Sequence, residues 1–376
     1  MQKKILVLAL AGLSSAAFAQ SNVTISGAIE AQFENISAKG ATAAGADLTT
    51  RKRVTDNTSW LRFSGSEDLG NGMKAFFQVE SDLGIDGGAS AAVPAAAAGA
   101  NGFGNRNSGV GIAGGFGTVL MGHWDAQYQA QLEGGVDFGS SGALPHSANS
   151  MNLTSEVAGT LIGGRLNNVV AYITPDFNGL SARLAWTAST ESNTAGITAK
   201  SSGLNLFVKY ANGPINAFYA YLNAKDQTDG AGVVGVTADD VKGNKLGVAY
   251  TFPMGLKVGV VWDKTKIDDV VGTKLAQRTA WSIPVSYTTG AHGIHFAYAK
   301  AGDLSTAAGS VANTGAKNLI LGYTYSLSKR TQLGVSYSKI TNESAATYGF
   351  WTRGTSVATP AGADPTSFTV GVNHAF

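Results

Sequence analysis

The last ten residues, SFTVGVNHAF (367–376), are the most informative stretch for the fold of this 376-residue chain. Apolar and polar residues alternate along them with the period of two that is typical of a β-strand with one apolar face. That face carries Phe368, Val370, Val372 and Phe376. Chain termini are usually polar and fray, whereas this strand runs to an aromatic last residue. We therefore expect the terminal strand to be paired with NVTISG (22–27), which would close a sheet into a barrel.

The same alternation recurs through the rest of the chain, in segments of about ten residues separated by turn residues. Four clear examples are NVTISGAIEAQFE (22–34), GLKVGVVWDKT (255–265), NLILGYTYSL (318–327) and RTQLGVSYSK (330–339). The chain is therefore expected to be all-β. A soluble β-sandwich would show the same alternation, so the choice between sandwich and membrane barrel depends on other features.

The connections favour the barrel because short turns alternate with long polar stretches. The short turns lie at 69–72, 114–117, 175–179, 212–214, 253–255, 289–293 and 326–330, and the longest polar stretches at 84–104, 225–242 and 342–364. One rim with tight turns and another with long loops is typical of outer-membrane barrels. Seven tight turns, the loops between them and two terminal strands predict sixteen antiparallel strands.

Aromatic residues near the strand ends point the same way. They are Phe252, Trp281, Tyr287, Tyr325 and Phe376. In a soluble sandwich they would be core residues, but aromatic belts at the two membrane interfaces explain their position better.

The first 19 residues have the features of a secretory signal: Lys3 and Lys4, a short apolar run, and an A-x-A site ending at Ala19. The barrel domain is then 20–376. The signal holds two of the 27 Lys and Arg residues, so the remaining 25 match the 25 Asp and Glu residues. A neutral chain gives no reason to expect a nucleic-acid partner. No later apolar run approaches 18 residues, so a membrane form must be a closed barrel.

Rival functions find little support in the residues. The chain has no cysteine for a disulfide or thiolate site, and no cofactor or metal is expected. Gly109, Gly111 and Gly114 match G-x-G-x-x-G, but no helical pattern follows them. The five histidines show no nucleophile elbow and no H-E-x-x-H spacing, as a hydrolase would require. An adhesin with long surface loops stays compatible. The basic cluster Arg51–Arg53, between the first two strands, attracts anions to the mouth, pairs with lipid phosphates, or is a plain solvated loop.

Several blocks resemble one family, the sixteen-stranded general porins of Gram-negative outer membranes, in particular the beta-proteobacterial type. They are NVTISGAIEAQFE (22–34), FSGSEDLGNGMKAFFQVES (63–81), NRNSGVGIAGGFGTVLMGHWDAQY (105–128), LGYTYSLSKRTQLGVSYSK (321–339) and VGVNHAF (370–376). The resemblance implies a homotrimer of water-filled barrels that pass small hydrophilic solutes and ions. Partners implied with it are outer-membrane lipid, lipopolysaccharide and the barrel assembly machinery, for which Phe376 would be the signal.

The resemblance also implies a constriction, formed where the third external loop, about 124–164, folds into the lumen. Arg106 and Arg165 match the family's basic wall positions. The third wall arginine usually stands where this chain has Trp60, and Arg62 follows two residues later on the same strand face. The acidic partners expected on the loop are Glu133 and Asp137, with Asp125 near the strand end. By alternation, Lys74, Glu80, Arg183 and Lys257 also face the lumen. These charges predict a weak anion preference.

Overall fold

The computed structural model describes residues 22–86, 103–125, 134–138, 156–157, 160–161, 165–187, 202–225, 240–269, 272–350 and 359–376. The expected signal at 1–19 lies outside these ranges, as do Glu133 and most of the expected third loop. Within the described ranges, no helix has the length and apolarity needed to cross a membrane.

Sixteen antiparallel strands form one closed barrel, as the turns and loops predicted. Their bounds are β1 Asn22–Lys39, β2 in two segments Leu48–Asp56 and Trp60–Gly70, β3 Met73–Asp82, β4 Ser108–Gly114, β5 Gly117–Asp125, β6 Arg165–Ile173, β7 Leu180–Thr187, β8 Ser202–Asn212, β9 Ile215–Lys225, β10 Asp240–Thr251, β11 Leu256–Asp268, β12 Lys274–Thr289, β13 His292–Ala301, β14 Ala316–Ser326, β15 Thr331–Asn342 and β16 Asp364–Ala375. Consecutive strands pair throughout, and β16 pairs with β1.

The seven predicted turns are all present and lie at one rim, which we call the tight-turn rim. The turn after β2 is a two-residue hairpin in which Asn71 and Gly72 have φ values of 52° and 74°. Both positive angles fit a type I′ turn, which Asn-Gly favours because its twist matches that of the strands. At the opposite loop rim most connections are long. Two are compact. β11 leads to β12 within a few residues, and in the connection from β13 to β14 Leu304–Thr306 pairs with Gly309–Val311 as a small hairpin.

Alternate residues face opposite sides of the wall, as the sequence pattern predicted. On β1, Phe33 is 47% exposed on the outer face, whereas its neighbour Glu34 is fully buried on the inner face. Glu30 and Gln32 lie on the same inner face as Glu34. Backbone groups in lipid must pair within the protein, and the closed barrel achieves this while leaving apolar side chains outside.

Closure uses a different register from the one we expected. β16 pairs with residues 28–39, from Ala28 opposite Ala375 to Lys39 opposite Asp364. Of the expected partner NVTISG, only Gly27 meets the terminal residue: its N–H donates to the Phe376 carbonyl at 3.1 Å, and the Phe376 N–H donates back at 3.0 Å. Residues 22–28 pair instead with the second segment of β2. Alternation gives the face of a strand but not its stagger, which the closed barrel sets.

The second strand is interrupted at 57–59, where the backbone bends around β1. Thr58 has a φ of 84°, rare for a β-branched residue. The Ser59 hydroxyl accepts a hydrogen bond from the Glu30 N–H at 2.8 Å, and the Ser59 N–H donates to the Asp56 carboxylate at 3.0 Å. The cluster Arg51–Arg53 lies in the first segment of β2 and not between strands, contrary to expectation. Arg53 forms an inner-face ion pair with Glu34 at 2.9 Å.

Candidate functional site

Two of the three predicted wall arginines share one carboxylate. Arg62 on β2 lies directly opposite Glu80 on β3, and its Nε donates to Glu80 Oε2 at 2.8 Å. Arg106, just before β4, donates to the other oxygen, Oε1. Its backbone N–H also donates to the Glu80 carbonyl at 2.9 Å. The Glu80 side chain is 2% exposed, so alternation placed it correctly on the inner face but did not show that it joins two arginines.

Asp82 completes this group, which we call the arginine wall: Arg62, Glu80, Asp82 and Arg106. Arg106 Nη1 lies 3.0 Å from Asp82 Oδ1. Burial alone would lower the pKa of Arg106, but the charges of Glu80 and Asp82 outweigh it and raise the pKa above its ordinary value. Arg106 is therefore a fixed cation held in place by two carboxylates.

Trp60, two residues before Arg62 on the same strand face, packs against the Arg62 side chain. The Arg62 guanidinium carbon lies 4.7 Å from the centre of the Trp60 ring, within the range of a cation–π contact. Arg62 remains one-third exposed. Arg62 is thus a wall cation with an aromatic ring packed against it.

Arg165, the third predicted arginine, has a partner of its own. It begins β6 opposite Asp125, the last residue of β5, and its Nε lies 3.1 Å from Asp125 Oδ1. Asn107 joins the two, because its Nδ2 donates to Asp125 at 2.7 Å and its Oδ1 accepts from Arg165 at 3.3 Å. Asp125 is therefore a wall residue beside Arg165 and not a loop acid facing it from across the lumen.

Residues 134–138 are a described part of the expected third loop, and they touch inner-face residues of distant strands. The Lys257 Nζ donates to the Gly135 carbonyl at 3.3 Å and to the Asp137 carbonyl at 3.5 Å. Val136 is fully buried, and a Cβ added at Gly259 on β11 would lie 2.9 Å from its carbonyl oxygen. The Phe138 ring packs against His295 on β13 at 5.2 Å between centroids. Glycine at 259 leaves room for this segment.

Asp137 itself is buried among these contacts. Burial raises the pKa of its carboxyl to about 7, against the opposing effects of the Phe138 N–H and of the charges on Lys257 and Lys245. It lies by β11, eight strands from β3, and so across the barrel from the arginine wall. This charge titrates near neutral pH.

Sequence reasoning missed an inner-face charge group on β10–β12. Lys245 is fully buried, with its Nζ 3.4 Å from Asp263 Oδ2, and the Thr265 hydroxyl donates to Asp263 Oδ1 at 2.7 Å. On the next strand Arg278 donates to the Tyr348 hydroxyl. Alternation alone could have placed Lys245, Asp263 and Arg278 on the inner face, because each stands between buried alternate residues of its strand.

Tyr348 belongs to the connection after β15, which sequence reasoning took to be an external loop. Its described part turns inward at the loop rim: Ala346, Tyr348 and Phe350 pack in one buried cluster with inner-face residues such as Ile340 and Ala299. Asn342 fixes the turn, since its Nδ2 donates to the Tyr348 carbonyl at 2.9 Å and its Oδ1 accepts from the Tyr348 N–H at 3.2 Å. This segment narrows the mouth of the barrel.

The remaining predicted residues lie apart from the arginine wall. Arg183 on β7 faces inward with its guanidinium carbon 5.9 Å from the Phe207 ring. Lys74 is exposed on the same face of β3 as Glu80, near the tight-turn rim. Phe376 sits at the seam, where a Cβ at Gly27 would lie 2.6 Å from its ring. In the described ranges, His, Asp and Glu side chains form no group of three that could hold a metal ion.

Comparisons with known proteins agree with this architecture. A family model described as Gram-negative porin matches residues 6–345. Outer membrane porin protein 32 of Delftia acidovorans is 30% identical over the whole of both chains. Major outer membrane protein P.IA of Neisseria meningitidis serogroup C is 27% identical, covering 89% of this chain and 93% of its own.

Among solved structures, an anion-selective porin from Comamonas acidovorans matches with a TM-score of 0.75 and 26% identity, covering 95% of this chain and all of its own. OmpT of Vibrio cholerae in a trimer form matches with a TM-score of 0.64, covering 95% and 99% of the two chains. Its 14% identity supports the fold alone.

Proposed function

Because the chain belongs to the Gram-negative porin family, we propose that it is a general diffusion channel of the outer membrane whose weak anion preference arises at Arg62, Arg106 and Arg165. The observation that carries this proposal is the arginine wall. Its cations are fixed on the inner face by Glu80 and Asp82 at hydrogen-bond distance, so they present a constant field to passing ions. A transverse field of this kind acts on ions and dipolar solutes without any chemical step.

The preference is weak because the carboxylates reduce the field. Arg62 and Arg106 lie against Glu80 and Asp82, and Arg165 lies against Asp125. Three arginines thus stand beside three acids, so only a small net positive field reaches the lumen from this side. Lys257, whose Nζ is bound by carbonyl oxygens, adds positive charge on the opposite side.

The third loop completes the proposed constriction. Support comes from residues 134–138, which contact inner-face residues of β11 and β13 on the side opposite the arginine wall. Asp137 would then be the acidic side of the narrow section, with Glu133 nearby in the chain. Its carboxyl changes charge near neutral pH, so the acidic side is adjustable.

Assembly and partners follow from the same family. We propose a homotrimer, exported by the signal at 1–19, folded by the barrel assembly machinery with Phe376 as its signal, and surrounded by outer-membrane lipid and lipopolysaccharide. The OmpT neighbour is described in a trimer form. The site we describe would filter solutes and catalyse no reaction.

The experiment is a reversal-potential measurement on single channels in planar bilayers under a KCl gradient. Wild type should give stepwise conductance and a reversal potential displaced toward the anion value. Arg106→Gln should move it toward cations, because Glu80 and Asp82 lose a counter-charge. Lys329→Gln, an exposed charge in a tight turn, is the matched control and should leave it unchanged. Equal potentials for wild type and Arg106→Gln would show that the arginine wall does not set selectivity.

A further inference from the structure

Two lysines lie side by side on the outer face of the barrel near the loop rim. Lys300 on β13 is directly opposite Lys317 on β14, and both are exposed. Their strand neighbours Ala299, Ala301 and Ala316 are buried on the inner face, so both lysines project outward. Lys339 on β15 faces the same way, one diagonal step from Lys317. We call Lys300, Lys317 and Lys339 the outer lysine cluster.

The cluster has too little negative charge of its own. Residues directly opposite on neighbouring strands have Cβ atoms about 5 Å apart, and like charges placed so destabilise the pair. Lys339 pairs with Asp364 at 3.5 Å. Among the residues that the structure describes, Lys300 and Lys317 have no carboxylate within ion-pair distance. Two other outward lysines at this rim differ, because Lys242 and Lys266 lie against Asp268 at 3.9 Å and 2.8 Å.

The depth of the cluster corresponds to a membrane interface. Lys300 lies opposite Trp281 on β12, whose ring packs with Tyr298 at 5.6 Å between centroids, and outward aromatic residues mark the level of the headgroups. On β14, Tyr325 stands eight residue steps after Lys317, near the tight-turn rim. That is about 27 Å along a strand, or about 20 Å across the bilayer at a tilt of about 40°.

The loop rim is the external side of such a barrel, so the lipid beside the cluster is that of the outer leaflet. This inference rests on the proposed function, in which this wall faces lipid of the outer membrane. We propose that Lys300 and Lys317, with Lys339 beside them, bind a phosphate group on the lipid part of lipopolysaccharide. Two ammonium groups on adjacent strands can both reach the oxygens of one phosphate, and each is a compact cation that suits such a ligand.

The test compares variants of the full protein in detergent by titration with bisphosphorylated lipid A, with native mass spectrometry counting bound lipid. Each lysine is expected to strengthen the affinity for lipid A about fivefold. The double variant Lys300→Gln/Lys317→Gln should therefore bind lipid A about 30-fold more weakly than wild type. The matched control Lys329→Gln/Arg330→Gln removes two exposed positive charges from a tight turn and should bind like wild type. Lys300→Arg/Lys317→Arg retains both charges and should also retain binding.

Two further lipids test the phosphate and its source. Dephosphorylated lipid A should bind wild type as weakly as the double variant binds lipid A, and phosphatidylglycerol should bind less tightly than lipid A. The proposal is wrong if the double variant binds lipid A like the control, if either lipid binds as tightly as lipid A, or if the double variant alters the oligomer instead. The double variant should have the conductance and reversal potential of wild type. If wild type itself forms no channel, that result would count against the proposed function and not against the lipid site.

Discussion

Replacing Glu80 by Gln should strengthen the anion preference, although Glu80 is the residue that holds two of the arginines. Arg62, Glu80, Asp82 and Arg106 carry two charges of each sign, and Gln at 80 leaves a net charge of one positive. The amide oxygen can still accept a hydrogen bond from one guanidinium, and Asp82 still holds Arg106 at 3.0 Å. The variant should therefore keep its cations in the lumen while losing an anion.

The expected size follows from Coulomb's law. A unit charge about 6 Å from a passing ion is worth about 0.7 kcal/mol at the dielectric constant of water. An anion gains what a cation loses, so the permeability ratio changes by about 1.4 kcal/mol, which is about tenfold. The effect should shrink in concentrated salt, where the screening length falls to about 3 Å at 1 M.

The assay is the reversal potential of single channels in KCl gradients of low and high mean concentration. Glu67→Gln is the matched control, because it removes the same charge from an exposed position on the same hairpin. A Glu80→Gln channel that matches wild type in dilute salt, or that becomes more cation-selective, would refute the reasoning. The second result would mean that Glu80 matters only because it positions Arg62 and Arg106.

Three further variants test other parts of the structure. Burial raises the pKa of Asp137 to about 7, so the anion preference of the channel should fall as pH rises through about 7. In Asp137→Asn the anion preference should not depend on pH. A pH dependence that persists in this variant would belong to another group. Because the unfolded carboxyl ionises near its ordinary value of 3.8, the contribution of Asp137 to the free energy of unfolding should decrease between about pH 4 and 7 and stay level above that. Tyr348→Ala removes the side chain that Arg278 holds at the mouth and should raise single-channel conductance. Tyr337→Ala, at an exposed position on the outer face of β15, is the control. Unchanged conductance in Tyr348→Ala would mean that the mouth does not limit ion flow. Deleting Phe376 removes both backbone hydrogen bonds to Gly27 and should abolish the heat-sensitive trimer band on gels of unboiled outer membranes, whereas normal trimers would exclude a role for this residue in assembly.

Alternation predicted most of the wall, because each strand must present apolar side chains outside and polar ones inside. It placed Arg62, Glu80 and Lys257 on the inner face, where the structure has them. It could not predict that Glu80 serves both Arg62 and Arg106, since Arg106 precedes β4 and its position depends on packing between segments far apart in the chain.

The misplaced residues have the same physical origin. Asp125 was expected on the loop, but β5 continues to it because Arg165 and Asn107 pair with its carboxylate. Arg51–Arg53 were expected between strands, yet they lie in the first segment of β2, where Arg53 pairs with Glu34 on β1. The inward turn of Tyr348 depends on Asn342 and on a cluster of small inner-face residues, none of which has a local sequence signature. Glu133 lies outside the described residues, so its role stays a prediction.

The seam between β16 and β1 has a kinetic consequence. Every other pair of neighbouring barrel strands is consecutive along the chain, so each can form as a local hairpin or across a single connection. The seam instead joins Ala28 to Ala375. Closing a flexible loop of that length costs about 5 kcal/mol in chain entropy before any contact forms, and such non-local pairing slows folding. In a barrel that is complete except for the seam, β1 and β16 are two unpaired edges, and each can pair with the wrong strand. The rate at which these two strands pair should therefore determine the yield of native protein.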